Sequence, residues 1–136
     1  MSDLKIISAN CQGLRDKLKR TDVCEYLNNL NANIICLQDT HLTQQDENDL
    51  KNLTNCECII NGAKSNSRGV VILLKNNFEY EILHTEEDCV GNYVLVDLRL
   101  ATISVRLINI YATNKDEPAF FQYLRQLMAK INRIIH

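Results

Sequence analysis

The sequence predicts an α+β layered domain built on a mixed sheet. Two patterns carry that prediction. The chain opens with a strand, a helix and a strand within about 35 residues, and the apolar period then shifts from helical to alternating for the rest of its length. Size agrees: 136 residues, 46% apolar and 24% charged, suit one domain with one core.

The elements follow in order. "LKIISAN" (4–10) reads as a short strand ending at Asn10. In "TDVCEYLNNLNAN" (21–33), Val23, Leu27 and Leu30 recur at helical spacing; Thr21 is placed to cap the start, and Asn31 or Asn33 to end it. "IICLQ" (34–38) is a continuous apolar run, as in a strand covered on both faces. The two strands should be parallel, with their carboxyl ends on one edge. "TQQDENDLKNL" (43–53) reads as a second helix, with Thr43 and Asp46 as a capping box and Leu50 and Leu53 inward.

Five strand-like runs come next: "CECIIN", "GVVILLK", "FEYEIL", "YVLVDLRL" and "TISVRLINIY". Short turn clusters between them imply antiparallel neighbours. "KDEPAFFQYLRQLMAKINRI" closes the chain as a helix, with Asp116 as N-cap, Pro118 in the first turn, and a stripe of Phe120, Leu124, Leu127 and Ile131. Three helices cover about one sheet face. "IICL", "VVILL" and "INI" are apolar on both faces, so the other face needs a second layer that this chain has no residues left to build. The expectation is an open face, used for association or left by an unfinished fold.

Composition narrows the function. No apolar run reaches the roughly 20 residues of a membrane helix. The start lacks a signal-peptide pattern, so the expected location is intracellular, nuclear or cytoplasmic, with no membrane partner. The six cysteines then read as thiols. Cys56 and Cys58 share a strand face with no partner pair or nearby histidines, which argues for packing over zinc. A formal charge of −2 is not a nucleic-acid signature. "RDKLKR" (15–20) is one local basic cluster, either a solvated helix approach or a phosphate-facing patch.

Chemistry should collect where the parallel strands end. "CLQDTH" (36–41) drives an apolar strand into Asp39 and His41. Asn10 ends the neighbouring strand, "YATN" brings Tyr111 and Asn114, and an antiparallel strand would bring Arg68 of "SNSRG" to the same edge. A hard cation takes oxygen ligands, as Asp39 offers, and arginine pairs with phosphate. Each residue also has a plain reading: Asn10 as a turn former, Asp39 as a cap, Tyr111 as packing, Asn114 as loop, Arg68 as surface.

"ISANCQGL", "NIICLQDTHLT", "SNSRGVVILL", "GNYVLVDL" and "LINIYATN…EPAFFQYL" together resemble, in order and spacing, the endonuclease/exonuclease/phosphatase superfamily. The nearest likeness is to the endonuclease domain of LINE-type non-LTR retrotransposons. The resemblance implies a four-layer α/β/β/α sandwich and a divalent-metal-dependent cut of a DNA phosphodiester, with Mg²⁺ or Mn²⁺ as cofactor and DNA as partner. It implies roles too: Asn10 orders the metal and phosphate site, Asp39 binds the metal, Tyr111 contacts the scissile phosphate region, and Asn114 lies near the nucleic acid, to which the phosphate chemistry of arginine also assigns Arg68. His41 and Gln12 support the site.

Three departures matter. Asp39 stands where the family usually has glutamate, and Gln12 where many relatives have Asp or Asn. The Gly-Asp-x-Asn and Ser-Asp-His blocks of the family's second half do not occur in these 136 residues. The expectation is therefore one truncated domain over 1–136: half of the sandwich, one mixed and largely antiparallel sheet with helices on one face, inactive alone. The alternatives are a non-catalytic remnant that binds through its exposed sheet face, and a phosphatase branch of the superfamily.

Overall fold

The computed structural model describes residues 4–62 and 67–111. The chain runs β1 (Ile6–Asn10), α1 (Lys17–Asn28), β2 (Ile34–Gln38), a 3-10 turn (Gln44–Asp46) leading into α2 (Glu47–Thr54), then β3 (Glu57–Asn61), β4 (Val70–Leu74), β5 (Glu81–Glu87), β6 (Tyr93–Leu100) and β7 (Ile103–Ile110). The expected final helix from Asp116 lies outside the described residues, as does Asn114.

The opening β-α-β unit is as expected. β1 and β2 are parallel, Ile6 opposite Ile34 and Asn10 opposite Gln38. α1 starts four residues before the expected Thr21. Asp16 caps it, accepting a hydrogen bond from the Lys19 amide at 3.0 Å, while the Thr21 hydroxyl donates to the Lys17 carbonyl inside the helix. The helix also stops earlier than Asn31, at Asn28, where the Asn29 amide turns back to the Tyr26 carbonyl. Thr43 and Asp46 form the expected capping box, and Asn55, left-handed at φ 52°, ends α2.

The strands form two sheets, not the single mixed sheet expected. One has the order β1-β2-β4-β3, with β1 and β2 parallel and the other pairs antiparallel; the other is an antiparallel meander, β5-β6-β7. The chain changes layer at residues 75–80. Lys75 and Asn77 bind carbonyls at the end of α1 and just before β2, while Phe78 and Tyr80, ring centroids 4.9 Å apart, pack into the space between the sheets. "FEYEIL" alternates because Phe78, Tyr80 and Ile82 all face the inter-sheet core while Glu79 and Glu81 face out, and its strand begins only at Glu81.

The two-sheet arrangement removes the expected open face. On the first sheet, Ile35, Leu37, Val71 and Leu73 pack with Cys24, Leu27 and Leu50 of the helices. Ile34, Ile72 and Leu74 point the other way and meet Val94, Val96, Leu98 and Leu100 of β6. The second layer is thus this chain's own β5–β7, so neither self-association nor a missing half can occupy that face. The class α+β, the helices on one face of the first sheet and the sandwich packing all hold. Among the described residues no strand pairs with the outer edge of β1 or of β7. Ile6 on β1 is 46% exposed and Ile103 on β7 57% exposed.

All six cysteines are free thiols, and Cys56 and Cys58 are buried in the helix-side core. "RDKLKR" is partly structural: the Arg20 guanidinium is buried, donates to the Leu14 carbonyl at 2.9 Å, and pairs with Asp49 at 2.6 Å. Among the described residues no helix is long and apolar enough to cross a membrane.

Two outcomes test this packing. Leu98→Ala, which opens a cavity between the sheets, should lower unfolding free energy by about 2–5 kcal/mol in urea titrations. Burial raises the Cys24 and Cys36 thiols from 9.0 to about 11 and Cys58 to about 12. The folded chain then keeps protons that the unfolded chain sheds, so stability is full below pH 9 and falls as pH climbs toward 11. Urea midpoints at pH 8 and pH 10.5 should show the fall, and Cys24→Ala should shrink it.

Candidate active site

The space between the sheets turns polar toward one edge. On β2 the inward series is Ile34, Cys36, Gln38; on β7 it is Val105, Leu107, Asn109, with Tyr111 next in register. On β1, Ser8 and Asn10 lie on the same side, both exposed. The apolar filling ends where the parallel strands end, and amides, a phenol and hydroxyls replace it.

Backbone hydrogen bonds tie five segments together at this edge. The Gly13 amide donates to the Asp39 carbonyl at 2.7 Å, joining the loop after β1 to the loop after β2. The Thr40 and His41 amides donate to the Gly69 and Arg68 carbonyls at 3.0 and 2.9 Å, bringing in the entry to β4. The Gly69 amide donates to the Gly91 carbonyl, and the Tyr111 amide to the Asn92 carbonyl at 2.6 Å. Asp39, Arg68 and Tyr111, far apart in sequence, therefore stand on adjoining segments, with Asn10 opposite Gln38 beside them.

Much of this backbone is left-handed: Gln12 at φ 52°, Asp39 at 55°, His41 at 59° and Arg68 at 69°. Asp and His tolerate that region better than most residues, but Arg does not favour it. Such clustering is typical where surrounding structure imposes conformation on a functional loop. Gly13 is needed for a second reason. At φ +88°, a Cβ there would lie 2.8 Å from Nδ1 of the His41 ring. A Cβ on Gly91 would come within 2.9 Å of the Gly69 amide nitrogen.

The side chains are specific. His41 Nε2 lies 2.7 Å from Asp39 Oδ1, and both side chains are about one-fifth exposed. Asn10 acts as a turn former: its Oδ1 accepts from the Gln12 amide at 3.2 Å. Lys19 Nζ binds the carbonyls of Cys11 and Gln12, both at 3.1 Å, pinning that loop to α1. Tyr111 packs against the inter-sheet core, and Arg68 is half-buried. Burial raises the Cys11 thiol to about 11, keeping it protonated beside the site at neutral pH.

Two participants escaped sequence reading, Gln38 and Asn109. Both are amides at strand positions where alternation calls for an apolar side chain, which is the signal that could have flagged them. Gln38 Nε2 donates to Asn109 Oδ1 at 2.7 Å and to Ser8 Oγ at 2.9 Å. Among the described residues, Asn92 Oδ1 is buried with no partner, in the segment that accepts from Tyr111.

As a metal site the edge offers the Asp39 carboxylate and the amide of Asn10, whose Oδ1 already accepts from the Gln12 amide. Among the described residues no group of three or more His, Cys, Asp or Glu converges. Such a set does not cage an ion. It fits a hard dication that keeps most of its water and completes its shell with substrate phosphate.

Residues 7–129 match the Endonuclease/Exonuclease/phosphatase family. Solved structures share the fold at low identity. The endonuclease domain of TRAS1, a telomere-specific non-LTR retrotransposon, aligns with TM-score 0.66 and 15% identity over 94% of this chain and 55% of its own. The AP endonuclease of Leishmania major gives 0.64 and 19% over 90% and 44%. D. rerio TDP2, complexed with a single-strand DNA product, gives 0.66 and 18% over 95% and 54%. The chain thus spans about half the length of these structures.

The Gly13–His41 contact makes a direct test. Gly13→Ala should cost roughly 1–3 kcal/mol from its left-handed backbone and the ring contact together. It should also move the His41 ring off Asp39. Urea unfolding measures the first effect, and the His41 ring resonances in NMR report the second.

Proposed function

The chain belongs to the endonuclease/exonuclease/phosphatase family, and on that premise we propose that it carries the metal- and phosphate-holding edge of a DNA phosphodiesterase of retrotransposon type. What supports this reading is the hydrogen-bonded edge that joins the segments carrying the Asp39–His41 pair, Arg68 and Tyr111.

In this reading Asp39 holds Mg²⁺ or Mn²⁺, with the Asn10 amide and phosphate oxygens nearby. When bound, the ion would neutralise charge that builds on the phosphate oxygens. His41 orients the Asp39 carboxylate through the 2.7 Å contact. Its ring, seated on Gly13, resists rotation away. The Tyr111 hydroxyl donates to a phosphate oxygen near the scissile bond, and the Arg68 guanidinium pairs with a backbone phosphate. Asn114 is assigned to the nucleic acid by resemblance alone. The shorter reach of Asp39 relative to glutamate, roughly 1.5 Å, suits an ion reached through water.

Residues 1–136 do not turn over by themselves in this proposal. Phosphoryl transfer needs several groups acting as a unit, and the Gly-Asp-x-Asn and Ser-Asp-His blocks that supply half of them are not in this sequence. Strands completing such a site would extend both sheets from the outer edges of β1 and β7, where Ile6 and Ile103 are exposed.

Calorimetry with Mn²⁺ tests the holding role: binding should be weak and saturable, and Asp39→Ala should abolish it. Supercoiled plasmid incubated with the 136-residue chain and Mg²⁺ should stay intact. Nicking that disappears in Asp39→Ala would overturn the inactivity, and Mn²⁺ binding unaffected by Asp39→Ala would overturn the role of that carboxylate.

A further inference from the structure

We infer that Asn109 is a positioning residue for Asp39, acting across the sandwich from the opposite sheet. Its side chain is buried, at 3% residue exposure, and uses all its hydrogen-bonding groups. Nδ2 donates to the Leu37 carbonyl of β2 at 2.9 Å and to the Val71 carbonyl of β4 at 2.8 Å. Oδ1 accepts from Gln38 Nε2 at 2.7 Å, and Gln38 reaches on to Ser8 of β1 at 2.9 Å. One amide of the second sheet therefore ties three strands of the first at a single level. That level is Leu37 opposite Val71, and Ser8 and Gln38 lie beside it.

Location separates this from simple gluing of the layers. Val105 and Leu107, on the same face of β7, meet the first sheet through apolar contacts, as do Val94, Val96, Leu98 and Leu100 of β6, while Asn61 of β3 donates to the Tyr93 carbonyl of β6 at 2.7 Å. An apolar residue at 109 would continue that pattern at no desolvation cost, whereas a buried amide is tolerated only when satisfied. The amide binds one rung before the end of β2, whose last paired residue is Gln38. Asp39 and His41 follow directly, both with left-handed backbones. Their conformation is held from the loop side by Gly13, Arg68 and Gly69. From the inter-sheet side the last residues of β2 are held by Asn109, directly at the Leu37 carbonyl and through Gln38. Removing the amide frees the end of β2 at the residue preceding the candidate ligand.

The experiment compares Asn109→Leu, which keeps the branched shape at a larger volume but drops the donors, with Leu98→Ala, which weakens the same inter-sheet core away from the edge. The first readout is metal-free amide hydrogen exchange by NMR at Gly13, Thr40 and His41, normalised to the Ile35 and Ile72 amides. The normalised rates should rise at least about tenfold in Asn109→Leu and stay flat in Leu98→Ala. The second is Mn²⁺ affinity, expected to fall about tenfold in Asn109→Leu only. If Asn109→Leu does not fold, Asn109→Ser, which retains one donor, should show the same pattern at smaller size. Flat normalised exchange in the Asn109 variant, or equal rises in both variants, overturns the inference. The affinity arm rests on the metal reading of Asp39. Should the wild-type chain bind no Mn²⁺ while the exchange pattern appears as expected, the positioning stands and the metal reading fails.

Discussion

Burial of β2 and β4 on both faces is the constraint from which the architecture follows. Ile34, Ile35 and Leu37 of β2, and every residue of β4, are essentially inaccessible to water. A strand with apolar side chains on both sides must have a layer on both sides. α1 and α2 supply one, through Cys24, Leu27 and Leu50. The other is supplied by the β5–β7 meander, whose β6 lays Val94, Val96, Leu98 and Leu100 against the sheet. Each methyl so covered contributes in proportion to the area removed from water, at about 25 cal/mol per Å².

The same constraint places the polar edge. Strands end where their apolar filling ends, and the loops that leave them must find hydrogen bonds for backbone groups no longer in a ladder. Here they find each other. Five segments exchange amide–carbonyl bonds across the carboxyl edge, and left-handed residues at 12, 39, 41 and 68 make the exchange geometrically feasible. Close approach demands glycine at 13 and 91. The Asp39–His41 pair is a product of that packing: the ring is held against Gly13, and the carboxylate meets it. The solved structures that share this fold are about twice as long, and among the described residues this edge carries one carboxylate, that of Asp39, and a set of amides.

Much of the fold was legible because local signals and global packing agree. The opening β-α-β unit, the Thr43–Asp46 capping box, the inward Leu50, and the strands at 57–61, 70–74, 93–100 and 103–110 all follow from period and turn chemistry. Where reading and structure diverge, a competing interaction explains it. Asp16 out-competed Thr21 as a cap because its carboxylate reaches the Lys19 amide, and the helix gained a turn. Phe78 and Tyr80 alternate with glutamates as a strand would, yet they anchor a crossing between layers.

The candidate site divides the same way. Asp39, His41, Asn10, Arg68 and Tyr111 stood out because polar residues interrupt apolar runs at strand ends, and a family resemblance ties those interruptions together. Gln38 and Asn109 did not, because their partners lie 71 positions apart and in different sheets. By itself the sequence determined which segments are strands, which are helices, and which residues end the parallel pair, since these depend on neighbours within a few positions. The division of the strands into two facing sheets was decided only in three dimensions. So were the ring of His41 against Gly13 and the amide bridge from Asn109 to β2 and β4. Each depends on long-range burial, which closes only when all layers are in place.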